Sequence, residues 1–322
     1  MADSTPPDTP TFLTASPPFD NPGADIIIRT SDRVEFHVYK LILREVSSVF
    51  ADMVSLPPTR ESDADVVDVT EDSVVWEHIL RMCYPFARSA VIAPDHFWPL
   101  LEAAKKYDMN GVREAVGREM LTAPILERRS LRVYLLACGH GLQDVAIEAA
   151  RASLRQPLDE DTLVPELRCV TSAAYFRLLR YRRDCVKAAT AFVDDFKVYV
   201  FGRDGWRKYT ETWVKPRGGT SNNTDPKHDP QCFDSNENRK SDRTTRRRVF
   251  EDYIKRSAEA LKVTPHGAVV LDPHIIAATV QQASICAACR TDEQADQIVR
   301  FIRFHASDID AAVAKVVLMI EA

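Results

Sequence analysis

Glycine is scarce in this chain, 10 of 322 residues. Loops that cradle phosphates are built from closely spaced glycines, and neither Gly-x-Gly-x-x-Gly nor a Walker loop occurs. The Gly-x-Ser-x-Gly elbow and the His-Glu-x-x-His helix are missing as well. No apolar run reaches the ~18 residues of a membrane-spanning helix. The most apolar stretch, Ala311 to Ile320, is broken by Lys315. Excess positive charge is also lacking. The formal net charge is −5, so the global footprint of a nucleic-acid binder is absent and nucleic acid is not an expected partner. Residues 1–23 hold Asp3, Asp8 and Asp20 but no Lys or Arg, and no apolar core segment. They read as neither a secretory signal nor a transit peptide, and the expected location is cytoplasmic, nuclear or both.

The seven cysteines run from Cys83 to Cys289 without regular spacing. An odd, scattered set outside a secretory context implies reduced thiols. Cys83, Cys138, Cys169 and Cys185 read as small buried hydrophobes on helices. Cys286-Ala287-Ala288-Cys289 has the spacing of one side of a tetrahedral zinc site. Such a site needs two more ligands, and the donors on offer, Cys232, His228 and His305, include no second close pair. The pair therefore reads as two small buried residues on a helical turn. Cys286 and Cys289 stand as the metal candidates, with no metal and no cofactor assigned. The eight histidines are scattered. Adjacent carboxylates such as Asp194-Asp195 and Glu251-Asp252 point apart on a helix and do not form an acid–base pair. No catalytic residue is identified, and the expectation is that the chain is not an enzyme.

Residues 1–22, rich in proline, read as a disordered lead-in. Ala24 to Arg29, a turn at Thr30-Ser31-Asp32, and Val34 to Val38, in which Val34, Phe36 and Val38 alternate with polar neighbours, read as a hairpin with one buried face. Short helices follow, capped by Ser47 or Ser48 and stopped by Pro57-Pro58. Asp65 to Val69 is a third strand. Helices then open at Asp72 or Ser73, at Asp95 and at Asn110, with apolar positions recurring every three or four residues. Early strands followed by helices make the fold class α+β. Beyond Pro124 the pattern is helical, with a long helix from about Thr171 to Val200 whose stripe is Phe176, Leu179, Val186, Ala189, Val193 and Phe196. Its basic residues, Arg182 among them, read as the wet face. Residues 201–248 read as a partly disordered linker, and 249–322 as a C-terminal helical unit with caps at Asp272 and Thr291, the latter opening a helix with Ile298, Ile302, His305, Ile309, Val313, Val316 and Ile320 in register.

Asp25-Ile26-Ile27-Ile28, then Glu35-Phe36-His37-Val38-Tyr39-Lys40-Leu41-Ile42-Leu43 and Ser47-Ser48-Val49-Phe50-Ala51-Asp52-Met53, resemble the start of the BTB/POZ domain. Tyr39 stands where that family usually has His. Cys83-Tyr84-Pro85, Leu101 to Met109 and Leu131-Arg132-Val133-Tyr134 resemble the BTB proteins expanded in mushroom-forming fungi. The resemblance implies a BTB/POZ domain over 23–124, a small three-stranded sheet flanked by helices, with a helical extension over 125–200.

What the resemblance implies about function is a protein-interaction scaffold whose partner is a second copy of itself. Asp25 and Lys40 match two residues that form a charged pair in the dimer groove of some relatives. Ile26, Ile28, Leu41 and Ile42 would supply the apolar face between chains. Two alternatives stay open. One is a substrate adaptor that binds a cullin-type ubiquitin ligase, although Thr59, where cullin binders tend to be apolar, departs from their apolar-x-Glu element ending here at Glu61. The other is a nuclear transcriptional regulator using the basic run Arg239 to Arg248 as an import signal.

Overall fold

A computed structural model describes residues 11–55, 65–85, 91–158, 163–194, 214–216, 229, 232, 244–246 and 248–320. The chain divides into two units. The first takes residues 1–149 together with 164–170, and the second takes 150–163 and 171–321.

The first unit is organised around a hairpin. Strand β2 (Ile26–Arg29) pairs antiparallel with β3 (Val34–Val38), with Ile26 opposite Val38 and Ile28 opposite Phe36. These four side chains share the inward face and are buried, and in β3 this follows the alternation read from the sequence. Arg33 takes a left-handed conformation in the turn, with φ of 64°. Asp32 accepts hydrogen bonds from the Ser73 backbone N–H and hydroxyl, at 2.9 and 2.6 Å, and so ties the turn to a later helix. Strand β4 (Asp65–Asp68) adds parallel to β2.

Four strands form the sheet rather than the expected three, in the order β1-β3-β2-β4. The extra strand, β1 (Leu13–Thr14), comes from the segment expected to be disordered and pairs parallel with β3. Behind it Phe19 is fully buried, packed edge-on against Tyr84 at 5.5 Å, and its carbonyl accepts the His37 N–H. Proline enrichment pointed the wrong way over 11–22. Proline is tolerated at a sheet edge, and the anchors are the Leu13 backbone N–H, donated to the Arg33 carbonyl, and the buried Phe19 ring.

Helices α1 (Lys40–Val46), α2 (Ser48–Ser55), α3 (Ser73–Cys83), α4 (Phe97–Lys106) and α5 (Asn110–Met120) complete the core. Ser47 caps α2 by accepting the Phe50 N–H at 3.1 Å, and Asp72 caps α3 by accepting from Val75 at 2.9 Å. Phe50, Trp76 and Tyr107 form an aromatic cluster with centroids 5.3 to 5.9 Å apart. The Tyr107 hydroxyl and the Lys106 ammonium both donate to Glu71, at 2.8 and 2.9 Å. Burial works against the charge on Glu71, but these hydrogen bonds outweigh it and hold the carboxyl below its usual range. Helix α6 (Ala123–Gly139) follows and breaks helical geometry at Arg129. Helix α7 (Gln143–Ser153) crosses the division between the units.

The second unit holds α8 (Ser172–Asp194), the antiparallel pair β5 (Val214–Pro216) and β6 (Thr244–Arg246), α9 (Arg248–Val263), α10 (Pro273–Ser284) and α11 (Asp292–Val313). Asp272 caps α10 through the His274 N–H at 2.8 Å, and Thr291 caps α11 through Gln294 at 3.2 Å, as the sequence patterns predict. The expected extension over 125–200 is therefore not one body. Its first part packs with the sheet unit, while α8 packs against α9 and α11.

Helix α8 buries Ala189 as expected but otherwise turns a different face inward. Ala174, Leu178, Tyr181, Arg182, Cys185, Ala189 and Phe192 are buried, whereas Phe176 and Val193 are exposed. Phe196 lies outside the described residues. Helix α11 buries Ile298, Ile302, His305, Ile309 and Val313 as expected, but it ends at Val313, so Val316 and Ile320 fall beyond it. Among the described residues, no helix is long and apolar enough to cross a membrane.

Candidate interaction surface

Six residues of the first unit carry the sequence expectation of a partner-binding face, and the structure separates them into three groups. Ile26 and Ile28 fill the unit's own core, buried on the inner face of β2. They are not available to a second chain. Alternation along the strand turns both into the domain's own core.

Asp25 and Lys40 form a local contact rather than a pair of charges. Helix α1 begins after Tyr39, whose side chain provides no cap. Asp25, at the foot of β2, supplies the missing acceptor: its Oδ1 receives the Lys40 backbone N–H at 2.7 Å. The Lys40 ammonium turns instead to Asp65 on β4, at 2.8 Å. Asp65 is a partner that periodicity and motif matching did not single out.

Leu41 and Ile42 are the residues that remain accessible. Leu41 is 67% exposed, Ile42 is half-buried, and Leu43 next in line is fully buried. The following helix adds Met53, 44% exposed. Tyr39 is exposed too, its hydroxyl hydrogen-bonded to the Asn21 side chain at 2.6 Å and its backbone N–H donated to the Tyr84 hydroxyl at 2.8 Å. Large apolar side chains left in water on consecutive short helices mark a surface that gains by being covered.

The cysteines separate equally clearly. Of the four cysteines expected to be buried, Cys185 is, whereas Cys83, Cys138 and Cys169 are half-buried; burial pushes the Cys83 and Cys185 thiols up to about 12 and about 11. In the second unit Cys286 and Cys289 sit on a turn between α10 and α11, both 4% exposed. The Cys289 and Arg290 N–H groups each donate to the Cys286 carbonyl at 3.0 Å, which closes the turn. Cys232 joins them, its Sγ 3.5 Å from that of Cys289. The hydrogen bond shared with Cys289, and then burial, push the Cys232 thiol above its ordinary range. Of the other donors considered, His228 lies outside the described residues. His305 is elsewhere in the unit, its Nδ1 2.7 Å from the Tyr253 hydroxyl.

The comparisons with known proteins follow this division. Residues 19–123 match the family model described as BTB/POZ domain. The match begins at the buried Phe19, runs through the four-residue strands β2 and β4, and ends just past α5. No curated protein matches the chain. BTB/POZ domains are protein-interaction modules that mediate self-association and binding to other proteins.

Proposed function

We propose that this chain, whose residues 19–123 form a BTB/POZ domain, is a non-catalytic scaffold that pairs with a second copy of itself across the α1–α2 surface. The observation that carries the reading is Leu41. It stands in solvent on α1 while Leu43 anchors the same helix in the core. A two-fold arrangement would bury Leu41, Ile42 and Met53 of both copies at once, since the same patch serves each side. The supporting residues are thus narrower than the six read from the sequence: Ile26 and Ile28 hold the domain together, and Asp25 and Lys40 set the start of α1. The kinship with fungal BTB proteins belongs to the same proposal and rests on Cys83-Tyr84-Pro85 and Leu131-Arg132-Val133-Tyr134. Cullin binding and nuclear import gain no supporting residue among those described: the stretch Val54 to Glu61 is described only to Ser55, and the basic run only at 244–246 and 248.

Light scattering of the full chain across about a hundredfold range of concentration tests the proposal. A mass of two chains is expected, with the double variant L41D/M53D reverting to one chain at unchanged helicity. A one-chain mass at every concentration would overturn self-pairing and leave the exposed α1 surface to a different protein.

A further inference from the structure

The strongest unassigned cluster lies in the second unit, far along the chain from the BTB/POZ domain. Cys232, Cys286 and Cys289 bring three sulfur atoms together, all within 4.8 Å of one another. Among the described residues this is the one such group of cysteine, histidine or carboxylate donors. We propose that these three thiols hold a zinc ion, with the fourth position open to a small cavity beside them.

The geometry supports a shared cation over three independent packing residues. With zinc–sulfur bonds of about 2.3 Å, tetrahedral ligation places sulfurs about 3.8 Å apart. The separations here, 3.5 Å for one pair and no more than 4.8 Å for any, bracket that value. A disulfide requires sulfurs at about 2.05 Å, much closer than this. The Cys286-x-x-Cys289 turn puts two donors on one side of the backbone, and a segment 57 residues before Cys289 delivers the third. The four cysteines elsewhere do not cluster in this way: Cys185 is buried by itself, and Cys83, Cys138 and Cys169 are half-buried.

The surroundings fit the charge. A cavity of about 40 Å³, lined by Asp229, Cys232, Arg248, Gln282 and Cys286 among others, adjoins the sulfurs. It has room for one water, and Asp229, three residues before Cys232, borders it. A water there completes the four-coordinate shell, since the Asp229 carboxylate does not join the three sulfurs as a close donor. Binding releases three thiol protons to solvent and leaves three thiolates around a divalent cation, a site of net charge −1. The Arg248 guanidinium borders the same cavity and offsets that charge. Zinc suits three sulfurs and one oxygen, whereas iron–sulfur clusters take four cysteine ligands and only three converge here.

Metal analysis of the full chain, purified without chelator and under reducing conditions, is the test. One zinc per chain is expected. C232S and C289S should each lower occupancy at fixed free zinc by at least about tenfold, while C83S and C185S leave it unchanged. Cobalt(II) in place of zinc should give thiolate-to-cobalt charge-transfer absorption that C232S weakens. The wild-type stoichiometry stands even if a variant misfolds, which circular dichroism reports. A zinc-equilibrated chain that carries no metal, that carries copper or iron instead, or that shows all seven of its thiols freely titratable under native conditions would overturn the proposal.

Discussion

Asp25 and Lys40 are joined through the backbone and not through their charges: the Asp25 carboxylate accepts the Lys40 N–H at 2.7 Å, and the lysine ammonium pairs with Asp65 at 2.8 Å. The two contacts differ in weight. An acceptor at the first turn of a helix satisfies an otherwise orphaned donor and is worth about 1 kcal/mol. A half-exposed ion pair is worth roughly 0 to 1 kcal/mol. Asp25→Ala should therefore cost about 1 kcal/mol in urea unfolding. Lys40→Ala, which keeps the backbone N–H, should cost clearly less. Equal losses would remove the capping role given to Asp25.

Arg182 is a buried cation, 8% exposed, on a face of α8 that the sequence assigns to solvent. Its guanidinium donates to the Ser153 carbonyl at the end of α7, to Gln156 at 2.9 Å and to Val263, at the end of α9, at 3.3 Å. Helix C-termini leave carbonyls without internal partners and attract positive charge. Arg182→Leu should destabilise the fold by about 2 to 4 kcal/mol, because it strands buried carbonyls. Arg183→Leu, at an exposed position, should change unfolding by roughly half a kcal/mol or less.

His305 is fully buried against Phe301 and Phe192 and hydrogen-bonded to Tyr253. Burial lowers its pKa from 6.5 to about 3. Below pH 6.5 the unfolded chain binds a proton here that the folded chain refuses, so this group's contribution to stability falls as pH drops toward 3. At pH 5 the loss from this site is about 2 kcal/mol. Unfolding midpoints at pH 7 and pH 5 should differ more in the native chain than in His305→Phe. Nitrogen-detected NMR should still show a neutral ring at pH 5, and a charged ring there would contradict the burial argument.

Gly267 stands where α11 passes closest. A Cβ at this position would run into the Ala306 carbonyl oxygen and the Asp310 carboxylate, and the Gly267 N–H donates to that carboxylate at 2.7 Å. Gly267→Ala should cost about 2 kcal/mol or more by forcing the backbones apart. Gly111→Ala, with open space around its Cβ position, should be neutral or slightly stabilising because it sits in α5. Thermal unfolding of the two variants side by side checks this.

Local features were readable from the residues alone. The alternation along Val34 to Val38, the caps at Asp72, Asp272 and Thr291, and the inward positions of α11 each depend on side chains within one or two turns of one another. So were the α+β class and the BTB/POZ domain, read over 23–124 and matched over 19–123, which rest on an ordered series of such local patterns. What required the tertiary structure were choices among faces and meetings between distant segments. Helix α8 has two apolar stripes of similar quality, and only the helices packed on it select the one with Arg182. Leu13 becomes a strand because β3 offers an edge. Asp65 meets Lys40 because β4 adds to β2. Cys232 meets Cys286 and Cys289 because the chain closes a loop of more than fifty residues, and no periodicity of 2 or 3.6 residues reports such a closure.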